Sequence, residues 1–176
     1  MQAMVESYFP GERVTASTVL KDGAYGSKTA LVQFKLGDKV VLEIPYCDRG
    51  FPIYDAVRKF EVRLPKEIWE MKGRDPHMKA STIKVREALE SGAITESHLA
   101  DWVVESHALK GETLTASELA TKLGKMKEAI IKGKETIGEF TWHHHQEFGR
   151  MELVPEWIHD ASKHTGGYSL SQNSMK

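Results

Sequence analysis

The hydrophobic period of this chain changes twice, and that double change restricts the fold more than any single residue does. Over roughly the first 65 of 176 residues, the β-branched and aromatic runs Val14–Leu20, Thr29–Phe34 and Lys39–Ile44 are separated by turns at Asp22–Gly23, Gly26 and Gly37–Asp38. Pro45 and the segment Arg49–Tyr54 interrupt this pattern; Phe60–Leu64 resumes it and Pro65 ends it. From Asp75–Pro76 the period is helical. Ile83, Val85, Ala88 and Leu89 run to a stop at Ser91–Gly92, and Leu99, Trp102 and Val103 follow a Thr95 cap toward an end near Gly111. Leu119, Leu123, Met126 and Ile130 then form one face of a third helix capped by Thr115 or Ser117. After Gly138 strands return as Glu139–His143 and Arg150–Val154, turned by Gly149, and Pro155 opens a short helix through about Lys163, stopped by Gly166–Gly167. The expectation is an α+β fold with a strand-rich N-terminal half, a helical middle and a C-terminal ββα unit. It reads as a single domain over 1–176, with a supporting part at 1–70, a helical part at 71–134, a compact core at 135–167 and a ragged end from Ser169 to Lys176.

Composition limits what such a domain can be. At 40% hydrophobic and 28% charged the chain is globular, not disordered. No apolar run approaches the ~18 residues of a membrane span, and Met1–Glu6 lacks the basic and apolar regions of a classical signal peptide, so neither a membrane anchor nor such a signal is expected. The single cysteine, Cys47, reads as a small buried apolar residue. Lys+Arg total 24 against 25 Asp+Glu, so net charge advertises no polyanion partner. Lys122, Lys125, Lys127, Lys132 and Lys134 read first as a solvated helix surface, with phosphate contact the lesser alternative.

Histidine is the unusual count. Five of eight, His143, His144, His145, His159 and His164, fall in a stretch that would hold about one if they were evenly spread. A transition-metal site needs several imidazole, thiolate or carboxylate donors, and with one cysteine imidazole is the available donor. On a strand, His143 and His144 point to opposite sides. His159 and His164 lie about 140° apart on an ideal helix, so they share a site only if the helix stops before His164. Three ligands of this kind leave an open coordination position, as catalytic sites do. His77, His98 and His107 read as ordinary surface or packed residues, and Trp142 and Trp157 as packing for the small C-terminal unit.

The stretch Phe140–Gly167, with its Trp142-His143-His144, the Met151, Leu153, Val154 and Pro155 of the second strand, His159 and the terminal His164-Thr-Gly-Gly, resembles the WHH family, nucleases of the HNH/endonuclease VII superfamily found at the C-termini of bacterial polymorphic toxins. Gly50-Phe51-Pro52 with Tyr54, and Gly73-Arg74-Asp75 with Ala80, echo elements that precede the motif in such toxins. The resemblance implies a ββα-metal nuclease motif holding one divalent cation (Zn, Mg, Mn or Ni). In it His143, His159 and His164 are metal ligands and His144 is the general base. A register shifted by one would make His144 the ligand and His145 the base; the place of His143 and His144 directly after Trp142 favours the first. Arg150 is a candidate for phosphate binding, set against simple solvation. The middle asparagine of a literal HNH pattern is missing, since the only asparagine is Asn173, so Gln146 or the backbone of Glu147–Arg150 is expected to hold the loop.

By the same resemblance, the expected activity is hydrolysis of DNA phosphodiesters, by a toxin attached to a larger secreted or contact-delivered polypeptide upstream, acting in the target-cell cytoplasm and matched by a cognate immunity protein. The same site acting on RNA, or a non-enzymatic zinc-stabilised nucleic-acid- or protein-binding module, are the alternatives.

Overall fold

A computed structural model describes residues 13–22 and 28–162. The expected turns at Gly23 and Gly26, and everything from Lys163 onward, including His164, Gly166, Gly167 and the ragged end, lie outside these residues. Strands β1 (Val14–Asp22), β2 (Lys28–Leu36) and β3 (Lys39–Pro45) form an antiparallel sheet in chain order. Gly37, with a φ of 57°, turns β2 into β3, as the sequence predicts. β1 is the outer strand and is mostly exposed, whereas β2 buries Leu31, Val32, Phe34 and Leu36.

The fourth strand does not extend this sheet. β4 (Phe60–Arg63) pairs with β6 (Arg150–Pro155), which pairs with β5 (Phe140–His144), giving a second antiparallel sheet in the order β4-β6-β5. The strand-rich half is therefore shared between two sheets, and the C-terminal hairpin gains a third strand from far upstream. Backbone bonds outside the strand proper lengthen that pairing: Lys59 donates to Leu153 at 2.8 Å and Leu64 to Gly149 at 2.8 Å.

The helices are α1 (Lys66–Trp69), α2 (Asp75–Glu90), α3 (Glu96–Ala108), α4 (Ala116–Ile131) and α5 (Glu156–Ala161). α3 and α4 start at the predicted caps Thr95 and Thr115, and α2 and α5 at the predicted prolines Pro76 and Pro155. Thr115 and Glu118 form a reciprocal capping box on α4, and Thr95 forms one with His98, whose Nδ1 accepts the Thr95 amide at 3.0 Å. The single turn α1 is not apparent in the sequence, where Pro65 reads only as a strand terminator; here that proline is the N-cap, and Trp69 is buried behind it.

Strand alternation divides the core in two. Phe140, Trp142, Met151 and Leu153 pack with Val85, Leu99, Trp102, Val103, Met126 and Ile130 under α2, α3 and α4. On the opposite face Val154 joins Ile158 of α5 and Val32, Phe34 and Ile44 of the first sheet. The β4-β6-β5 sheet is thus the middle layer, and each fully buried Leu, Ile or Phe in it contributes about 1.5–3 kcal/mol. Both tryptophans of the hairpin–helix unit are packing residues. Trp142 Nε1 donates to Thr82 Oγ1 at 3.0 Å, while Trp157 meets Phe34 edge to face at 5.3 Å and donates to Ser106 Oγ at 3.1 Å. No helix among the described residues is long and apolar enough to cross a membrane.

Candidate active site

At the end of β5 the strand sends consecutive histidines to opposite faces. His143 and the α5 residue His159 approach to 5.7 Å between ring centroids, and Tyr54 packs against both, at 4.9 Å and 6.1 Å. α5 ends at Ala161, with the C-cap Ser162 in a non-helical conformation, so the helix does stop before His164. His144 faces the other layer. Its ring lies 5.5 Å from Trp69 and 5.2 Å from His77, and its Nε2 is 3.0 Å from His77 Nδ1. His145, beyond the strand, accepts the Glu147 amide on Nδ1 at 3.0 Å and donates its own backbone N–H to the Arg150 carbonyl.

Burial governs the charge states. His143 is 1% exposed and His144 6%. Burial first, then the neighbouring His77, Arg74 and His159, lowers the His144 pKa to about 3, so its imidazole is neutral at physiological pH. Burial also lowers His77, partly offset by the carbonyls of Met71, Ile68 and Trp69, and it lowers His145 against the attraction of Glu152. The Tyr54 phenol is pushed up by burial and stays protonated.

The β5–β6 loop is held without an asparagine. Cys47 Sγ donates to Gln146 Oε1 at 3.0 Å, the Arg150 amide bonds the Glu147 carbonyl at 3.2 Å, and Gly149 turns the chain with a φ of 77°. Both loop-holding devices expected from the sequence are present. Cys47 itself is half-buried and serves as a donor, which corrects its reading as a buried apolar residue. Arg150 is not simply solvated: its Nη2 sits 2.8 Å from buried Glu152 and 3.0 Å from Glu61, and its Nη1 lies 3.3 Å from Glu147. Arg58 contacts the same Glu152 oxygen at 2.9 Å. A phosphate reaching Arg150 would exchange with carboxylates already there.

The donor set fits a cation in part. Two imidazoles on one tetrahedral ion, at ~2.0–2.1 Å per bond, have centroids about 5 Å apart, close to the 5.7 Å of His143 and His159. Among the described residues no group of three or more His, Cys, Asp or Glu side chains is placed to hold a metal, and the third expected ligand, His164, lies outside them. Of the expected site residues, then, the structure brings His143 and His159 together, sets His144 on the reverse face, and places His145 and Arg150 in the connecting loop. What sequence reading missed is the partnership of His77, packed as expected but fully buried and bonded to His144. The only nearby signal was the Gly73-Arg74-Asp75 element just before it.

No curated protein and no solved structure matches the chain. A family model does match, over residues 133–174, about a quarter of the chain: WHH, a nuclease of the HNH/ENDO VII superfamily with conserved WHH. The only Trp-His-His within that span is Trp142-His143-His144, the strand end whose histidines flank the sheet. The hairpin and short helix thus form the described part of a segment that matches the WHH nuclease domain, a family of the HNH/ENDO VII superfamily, and that domain is a phosphodiester hydrolase.

Proposed function

We propose that the chain is a metal-dependent endonuclease that cuts DNA, with His144 as general base and His143, His159 and His164 as the residues that hold one divalent cation. The observation that carries this reading is the convergence of His143 from β5 and His159 from α5 to 5.7 Å, with a buried neutral His144 one residue further along the strand end and turned to its other face. A bound Zn, Mg, Mn or Ni ion would supply Lewis-acid stabilisation of the charge developing on the leaving oxygen. The protein supplies the rest. Tyr54 and the buried strand end hold the two ligands in a water-poor setting, and His144 in its neutral form takes a proton from the attacking water. His145 is spent on the loop amide of Glu147, which favours His144 over His145 as the base. Arg150, anchored by Glu152, is assigned to the phosphate. The likeness to polymorphic-toxin C-termini supports a toxin delivered into a target cell as part of a larger polypeptide, with a cognate immunity protein as partner.

The test is nicking of supercoiled plasmid by purified protein with each cation in turn and with EDTA, run beside a structured RNA. Cation-dependent DNA cutting, abolished by EDTA and lowered about 10²- to 10⁴-fold by His144→Ala, is the expected result. RNA cutting alone would replace the substrate, and activity untouched by EDTA would reject the metal.

A further inference from the structure

His77 stands 67 residues before His144 in sequence, in the first turn of α2, yet it is fully buried and occupies the ring edge of His144. Three features fix its position. It stacks on Trp69 at 5.0 Å with an interplanar angle of 15°, its Nε2 lies 3.1 Å from the Met71 carbonyl, and its Nδ1 lies 3.0 Å from His144 Nε2. Hydrogen-bond logic then sets the protons. A carbonyl oxygen only accepts, so His77 carries its proton on Nε2. In a fully buried imidazole beside a second ring the neutral form is favoured, so Nδ1 of His77 is an acceptor. The short N···N contact therefore requires His144 to donate from Nε2, and its basic lone pair is on Nδ1.

We infer that His77 is a positioning residue for His144: the chain from Met71 O through the His77 ring locks His144 as the Nε2–H tautomer, so that Nδ1 is the atom that receives the proton from water. This rests on His144 being the base. The arrangement resembles in its logic the carboxylate that orients a catalytic histidine, with a neutral ring and a backbone carbonyl in place of the charge. It also gives the C-terminal half of the site a dependence on the α1–α2 junction, which no feature of the ββα unit itself reveals.

The test has two arms. In the first, long-range ¹H–¹⁵N correlation spectra of the intact purified protein, with and without Mg²⁺, report the His144 tautomer directly. Nε2–H is expected; an Nδ1–H ring overturns the inference and needs no variant. In the second, His77→Leu removes the acceptor, while His77→Asn, of nearly the same size, returns an amide oxygen at the Nδ1 position. Plasmid nicking should lose about 10- to 100-fold in kcat with KM within about twofold in His77→Leu, and recover most of the loss in His77→Asn. Unchanged kcat in a folded His77→Leu protein, or equal loss in both variants, overturns it. Undiminished cutting by His144→Ala would instead remove the base assignment, whatever tautomer the spectra show.

Discussion

A histidine at a strand end is useful only if something fixes which way its ring faces, and here each of the three has a different fixing element. His143 is held by Tyr54 and faces His159; His144 is held by His77 and Trp69; His145 is held by the Glu147 amide. Removing His159 should therefore act on the cation and not on the fold, because that ring is partly exposed and sits on a six-residue helix. We expect His159→Ala to weaken divalent-cation binding by at least about tenfold in calorimetric titration while the thermal midpoint without metal stays within a few degrees; unchanged affinity would remove His159 from the ligand set. At this scale the sequence was readable where spacing is local. The opposite facing of His143 and His144 follows from the strand period, whereas the pairing of His143 with His159 was implied by the family resemblance. His77 does not, because its role depends on a contact across the sheet that no local period encodes.

The elements that bear the site are joined at two points, and each makes a prediction. Gly149 ends the loop before β6 with a φ of 77°, and a Cβ there would stand 2.9 Å from the Leu64 carbonyl that flanks β4. Gly149→Ala should cost about 1–3 kcal/mol, measured by urea denaturation, and should lower nicking activity more than bulk stability accounts for, since the same turn aims His145 and Arg150; a loss-free variant would show that the loop tolerates another backbone path. The second joint is Glu139, just before β5. Its carboxylate meets Lys122 of α4 at 2.5 Å and His107 of α3 at 2.7 Å, while its carbonyl accepts the Glu156 amide at the start of α5. Burial raises its pKa, but the bonds to Lys122 and His107 outweigh that and hold it below its ordinary 4.5. A carboxylate with a depressed folded pKa adds stability that is present above about 4.5 and lost as pH falls through the lower folded value. Glu139→Gln should therefore unfold more easily than the parent at pH 7, with the gap closing as pH falls below the ordinary 4.5 and through the lower folded value; a gap that stays the same in acid would mean the ion pairs contribute nothing. Apart from α1, the strands and helices were legible from period, caps and turn residues. The partner of β4 was not: its alternation is the same whichever sheet it joins, and only burial against Leu153 and Gly149 decides.

Across the described residues, many of the opposing charges are spent on one another. Of the five lysines on α4 and just after it, Lys122, Lys127 and Lys132 are paired with Glu139, Glu96 and Glu128, and Arg58 and Arg150 share buried Glu152. Such pairs on the surface add little stability, but they remove cations from the field that a polyanion meets, in a chain whose formal charge is -1. The exposed Arg74, whose charge acts on His144, lies at the rim of the site itself. Attraction for nucleic acid should then be local to the site, with few phosphates neutralised at once. Each phosphate contact contributes about -0.9 to the slope of log K against log salt on duplex DNA. Fluorescence anisotropy with a labelled duplex, in EDTA across a potassium chloride series, should give a slope shallower than about -4. Glu128→Gln and Glu96→Gln together, which release Lys132 and Lys127, should leave that slope nearly unchanged if binding is confined to the histidine site. A steepening by about one unit per released lysine would place the α4 surface in the DNA interface and make the lysine row a second contact.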